Sequence, residues 1–140
     1  IILGYDARAS SASVTNEITL GNSSISTLRC NVTSITSLSD ERDKSDIQDS
    51  DYGLNIIEKL RPVTFEWNQR DGKRVGVKEV GFIAQELQQV DDEYLNLVYD
   101  ENPEKLEASQ GKLIPVLVKS IQELKAEIDL LKEELNALKS

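Results

Sequence analysis

Histidine is absent from this chain, and cysteine occurs once, at Cys30. A lone cysteine cannot form a disulfide within the chain, and a zinc site built from cysteine and histidine is excluded. Without histidine, acid–base chemistry near neutral pH would need a perturbed lysine or carboxylate. We therefore expect no metal and no cofactor.

Basic residues are also scarce relative to acidic ones. Lysine and arginine total 16 against 25 aspartates and glutamates, which gives a net charge of −9. A surface of this sign repels nucleic-acid phosphates and anionic membranes. No apolar run approaches the roughly 20 residues that span a bilayer. We expect neither nucleic acid nor a membrane as a partner.

Charge is nearly missing from residues 1–38, where 13 residues are serine or threonine and only four are charged. Apolar residues alternate with polar ones at Ile18 and Leu20 and again from Ile25 to Val32, with a Gly-Asn pair between the two segments. This pattern predicts short strands. A segment of short strands cannot bury a core alone, so we expect residues 1–38 to pack against other copies of the same segment; a flexible linker is the alternative.

The remaining residues mix helical and strand patterns. Ser50 or Asp51 is a candidate cap for a short helix that turns Leu54 and Ile57 inward. Alternation over residues 63–67 predicts a half-buried strand, and the Asp-Gly pair at 71–72 predicts a hairpin turn leading to a partner strand near 75–77. A helix near residues 83–90, a strand near 95–99 and a turn at 102–103 complete a small α+β domain.

The C-terminal segment carries an unbroken heptad pattern. Its a and d positions form the seam: Ile114, Leu117, Ile121, Leu124, Ile128, Leu131, Leu135 and Leu138. Glutamates occupy g positions and lysines occupy e positions, which favours parallel packing. Isoleucine at a with leucine at d favours two strands on its own. The alternative is an amphipathic helix that folds back on its own domain.

Ser39 and Lys44 form a candidate chemical pair. A serine hydroxyl is a nucleophile and a lysine amine can serve as its base, and this combination needs no histidine. A serine and a lysine five residues apart carry little weight by themselves, because such a pair arises easily by chance.

Four blocks of sequence resemble one family. They are Ser39-Asp40-x-Arg42-x-Lys44-x-Asp46-Ile47, then 60–67 (LRPVTFEW), 81–87 (GFIAQEL) and 113–124 (LIPVLVKSIQEL). In this order they resemble the C-terminal intramolecular chaperone domain of phage tail spikes and tail fibres, the endosialidase-type chaperone, which is a self-cleaving Ser/Lys peptidase family.

This resemblance implies a fold and a function. It implies a stalk end at residues 1–38 and a chaperone domain at 39–140, whose helix, about 112–139, forms a parallel trimeric coiled coil. Ser39 would be the nucleophile and Lys44 the base of a single-turnover cleavage between Leu38 and Ser39, within one chain or across the trimer. Asp40 and Arg42 would support the site.

The resemblance also implies where each part acts. The stalk would reside in the virion tail, and the chaperone would act in the host cytoplasm and leave after cleavage. Two alternatives remain open. One is a trimerisation module that never cuts, and the other is the same self-cleaving module in a membrane-anchored transcription factor.

Overall fold

The computed structural model describes residues 1–32 and 34–140, and it mixes short strands with one long helix. The strands are β1 Ile2–Leu3, β2 Thr19–Leu20, β3 Val63–Asn68, β4 Val75–Gly81, β5 Val98–Tyr99 and β6 Glu107–Ala108. The helices are α1 Leu54–Ile57, α2 Ala84–Leu87 and α3 Leu113–Lys139. Short 3₁₀ turns cover Glu41–Asp43 and Gln110–Lys112. This arrangement is consistent with the predicted α+β class.

The chain divides into two compact units. One contains residues 1–49 and 67–77, and the other contains residues 50–66 and 78–140. The predicted boundary at Ser39, between a stalk end at residues 1–38 and a chaperone domain at residues 39–140, stays a prediction.

The second unit holds the hydrophobic core, built where α1, α2, the 95–97 loop and the first turns of α3 meet. Its buried members are Ile56, Leu87, Leu95, Leu97, Leu113 and Val116. Ile56 is the buried residue of α1, whereas Leu54 and Ile57 are half-buried. The predicted caps of α1 are wrong, because α1 begins after Gly53, and the Ser50 hydroxyl accepts a hydrogen bond from Tyr52 N instead.

β3 and β4 form the predicted two-stranded hairpin. Along β3 half-buried and exposed residues alternate, as a strand with one covered face requires. The loop closes through Gln69 N to Arg74 O at 3.0 Å and Gly72 N to Gln69 O at 2.8 Å. Gly72 adopts φ +70°, which glycine reaches without steric cost. The Asp-Gly turn prediction is confirmed.

α3 runs 27 residues and presents two different apolar faces. One face buries Leu113, Val116 and Ser120 against the core. The other face is the predicted a/d seam, whose eight residues are 45–84% exposed in the single chain. The alternative in which the seam folds onto its own domain is therefore not what this chain does. The trimeric coiled coil remains a prediction.

At the N-terminal end β1 and β2 pair in parallel, with Ile2 opposite Thr19 and Leu3 opposite Leu20. The strand expected around Ile18 and Leu20 is confirmed in this short form. Residues 25–32 form no strand in the single chain, and their apolar side chains are exposed, so the strand expected there on packing against other copies stays a prediction. Alternation alone does not make a strand where nothing covers the apolar face.

Candidate functional site

A single 3₁₀ turn builds the site. Asp40 has extended angles, and its Oδ1 accepts a hydrogen bond from Arg42 N at 2.9 Å, so it caps the turn. Asp43 N donates to Asp40 O at 3.2 Å, and Lys44 N donates to Glu41 O at 3.0 Å. These bonds reverse the chain, so Lys44, which follows the turn, lies beside Ser39, which precedes the Asp40 cap.

The turn brings the two predicted catalytic residues together. Lys44 Nζ donates to Ser39 Oγ at 2.7 Å and to Ser39 O at 3.2 Å. The first distance is within hydrogen-bond reach for proton transfer between a hydroxyl and an amine. Sequence spacing alone could not show this contact, because five residues separate the two side chains and an extended backbone would keep them apart.

The two supporting residues bind each other. Arg42 Nε contacts Asp40 Oδ1 at 3.0 Å, and the NH2 nitrogen contacts Asp40 Oδ2 at 2.6 Å. The hydrogen bonds from the side chain and backbone of Arg42 lower the pKa of the Asp40 carboxyl, and the same side-chain bond raises the pKa of Arg42. The Arg42 guanidinium is thereby held on the turn, a position that suits an orienting role.

Leu38 and the two side chains of the candidate pair are open to water. Leu38 is 99% exposed, and Ser39 and Lys44 are also exposed. The single chain supplies the contact between the two residues but leaves both of them uncovered.

A second set of polar contacts escaped sequence reasoning. Glu123 Oε2 on α3 accepts a hydrogen bond from Leu54 N at 2.8 Å and so caps α1 from 69 residues away. The Tyr52 hydroxyl donates to Asp92 Oδ2 at 2.5 Å, and this bond, aided by burial, raises the pKa of Tyr52 to about 12. No local sequence signal marks a cap that comes from a distant helix.

Other kinds of site find no support in the described ranges 1–32 and 34–140. No group of three histidine, cysteine, aspartate or glutamate side chains is arranged to hold a metal ion there. Cys30 is free and exposed. Among these same residues, no helix is both long enough and apolar enough to cross a membrane.

Residues 39–96 match the peptidase S74 family, described as the chaperone of endosialidase. The match begins at Ser39 and includes the whole 3₁₀ turn, and it ends before α3. It confirms the family resemblance for the first three sequence blocks, and the fourth block, residues 113–124, lies outside the match. The search of curated proteins gave no match.

Proposed function

We propose that this chain, whose residues 39–96 belong to the chaperone-of-endosialidase family, is a self-releasing folding clamp for a phage tail spike or fibre. In this proposal it forms a homotrimer, holds three copies of its own upstream stalk together, and then cuts between Leu38 and Ser39. The observation that carries the proposal is the 2.7 Å contact between Lys44 Nζ and Ser39 Oγ at the first residue of the family match.

The exposed seam of α3 supports assembly into a trimer. Eight large apolar side chains on one face of a helix exceed what a soluble monomer usually leaves uncovered. Parallel packing would place g-position Glu127 and Glu134 near Lys132 and Lys139, respectively, the e-position lysines of a neighbour's next heptad.

A trimeric clamp would solve a folding problem for the stalk. Strands that pair between distant residues or different chains form slowly, because the chain ends must first be brought together. Joining three chains at their C-terminal helices raises the effective concentration of the stalk segments and fixes their register. The clamp is then needed only until the stalk is complete.

The chemistry of release would begin at the dyad. A neutral Lys44 amine accepts the Ser39 hydroxyl proton as Oγ attacks the carbonyl carbon of Leu38. The bond from that carbon to Ser39 N breaks, and nitrogen takes the proton from Lys44, which leaves an ester on Oγ. Water then hydrolyses this ester, giving a carboxylate at Leu38 and a new N-terminus at Ser39.

Assembly would control the timing of the cut. The dyad is exposed in the single chain, so a neighbouring subunit or the folded stalk would have to cover it before water is excluded from the reacting groups. The stalk would then remain in the virion tail, and the chaperone would leave into the host cytoplasm.

Three substitutions at the dyad test the proposal against a trimerisation module that never cuts. Ser39→Ala and Lys44→Ala should each abolish cleavage on denaturing electrophoresis while trimers remain. Lys44→Arg should abolish it as well, since arginine keeps the charge and the donors but cannot lose a proton. Ser45→Ala, one residue beyond Lys44, is the matched control and should cut normally.

The cleavage rates of these variants distinguish a catalytic Lys44 from a lysine that only positions Ser39. Cleavage of Lys44→Arg at the wild-type rate would show that the residue only positions Ser39, and the dyad mechanism would be wrong. A wild-type trimer that never cuts would favour the non-cleaving module. Arg42→Ala should weaken cleavage less than either dyad substitution, because Arg42 contacts Asp40 rather than the reacting groups.

A further inference from the structure

The sequences Ile1-Ile2-Leu3-Gly4 and Ile18-Thr19-Leu20-Gly21 share a short motif, and Ile35-Thr36 repeats its first two positions in the segment 35–38 before the proposed cleavage site. These three segments are called the three copies below. Each copy starts 17 residues after the one before it, so the segments that connect the copies have equal length. A fixed period of this kind is typical of chains that stack one coil on the next. The third copy ends at the residue that supplies the scissile carbonyl.

The first two copies already stack in this way. They form the parallel strands β1 and β2, with Thr19 N donating to Ile1 O at 2.9 Å and Gly21 N donating to Leu3 O at 2.7 Å. Both terminal glycines have left-handed angles, φ +118° at Gly4 and +77° at Gly21. A Cβ on Gly4 would lie 3.1 Å from Gly21 Cα, so glycine is needed where the next copy crosses.

The close approach between the first two copies lies on the Cβ side of Gly4, and the left-handed φ of +77° by itself favours glycine at position 21. The Cβ direction of Gly21 is filled in the single chain by the flexible Ile25 side chain. Leu38 carries a side chain at this position, which fits the last copy, since no further coil has to cross it.

β2 has a free edge for this third copy. The sheet contains β1 and β2 alone among the residues described. In a parallel ladder, alternate residues direct their backbone groups to opposite neighbours, so the carbonyls of Ile18 and Leu20 face away from β1. Ile35 and Leu38 are 98% and 99% exposed, and thus the apolar residues of the third copy have no cover in the single chain.

We propose that residues 35–37 pair with β2 of the same chain as a third parallel strand in the completed stalk, and that this pairing positions the scissile bond. Equal connecting lengths place Thr36 opposite Thr19, as Thr19 lies opposite Ile2. Leu38 N then donates to Leu20 O, as Gly21 N donates to Leu3 O. The ladder ends at the residue whose carbonyl Ser39 attacks. This inference rests on the proposed cleavage, and it makes completion of the stalk the signal for release.

A disulfide experiment tests the pairing without any cleavage. In the full chain carrying Ser39→Ala and Cys30→Ser, Thr19→Cys with Thr36→Cys should form a disulfide, because directly opposed residues on adjacent strands meet the geometric limits. On non-reducing electrophoresis this link stays within one chain. The control, Thr19→Cys with Ser37→Cys, should not link, since neighbouring strand residues point to opposite faces. Equal linking in both pairs, no linking, or a link between chains would overturn the proposal.

A second pair of variants tests the effect on cleavage. Thr36→Pro removes the N–H expected to bond Ile18 O and should slow cleavage by about tenfold. Ser37→Pro removes an N–H that faces away from β2 and should cut close to the wild-type rate. Equal rates for the two variants would show that the strand does not position the bond. A wild-type chain that never cuts, together with a formed disulfide, would refute the proposed function and leave the strand pairing intact.

Discussion

Charges placed in the seam of α3 should separate assembly from chemistry. Ile128 and Leu131 are 47% and 63% exposed in the single chain. Burying such a side chain fully contributes about 1.5–3 kcal/mol, so the exposed portion still has roughly 1–1.5 kcal/mol to contribute per residue. Replacing both by Asp in three chains removes on the order of 6–9 kcal/mol of trimer stability. Each buried Asp adds a desolvation cost of several kcal/mol.

The double variant should therefore be a monomer, and it should not cleave although its dyad is untouched. Size-exclusion chromatography with light scattering reports the assembly, and denaturing electrophoresis reports the cut. The matched control is Leu130→Asp with Ala137→Asp, which adds the same charge to the same helix outside the seam. This control should stay trimeric and cut normally. A seam variant that is monomeric and still cuts efficiently would show that one chain completes the active site, and the link between assembly and release would be wrong.

Two further predictions concern the folded domain. Glu123→Ala removes the cap on Leu54 N and should lower the free energy of unfolding by about 1 kcal/mol in thermal denaturation, whereas Glu133→Ala, on the exposed side of α3, should change it little. The Tyr52 hydroxyl and the Leu95 backbone N–H lower the pKa of Asp92 in the folded protein. The ionised Asp92 carboxylate therefore stabilises the fold fully above its unfolded pKa, near 4, and this stabilisation is lost as the pH falls through the lower pKa of the folded state. Asp92→Asn should make the unfolding midpoint less sensitive to acid below about pH 4, and an unchanged acid dependence would contradict this reading.

The parts of the fold that follow local patterns could be predicted from the sequence. The heptad run located α3 to within a residue or so of Leu113–Lys139, because a long periodic segment leaves few alternatives. Alternation and the Asp-Gly pair located the β3–β4 hairpin for the same reason. The serine and lysine of the candidate site were also identified from residue type and family resemblance.

The parts that depend on distant contacts could not be predicted. α1 begins where Glu123 caps it, and a cap 69 residues away has no local signature. The 3₁₀ turn that joins Ser39 to Lys44 depends on the Asp40 cap. In the sequence, Asp40 cannot be distinguished from the other acidic residues that follow it. The 17-residue spacing carries little signal in the sequence alone, because only the first two positions of the motif recur at residues 35 and 36, and its structural meaning depends on the pairing of β1 with β2.

Intact-mass analysis of the purified wild-type trimer tests the central claim most directly. The proposed function predicts two pieces, residues 1–38 and residues 39–140, with Ser39 as the new N-terminus. The Ser39→Ala trimer, handled in parallel, should give one mass for the whole chain. A new N-terminus at any other residue, or identical cutting of the Ser39→Ala chain, would contradict the assignment of Ser39 as nucleophile and of this chain as a self-releasing chaperone.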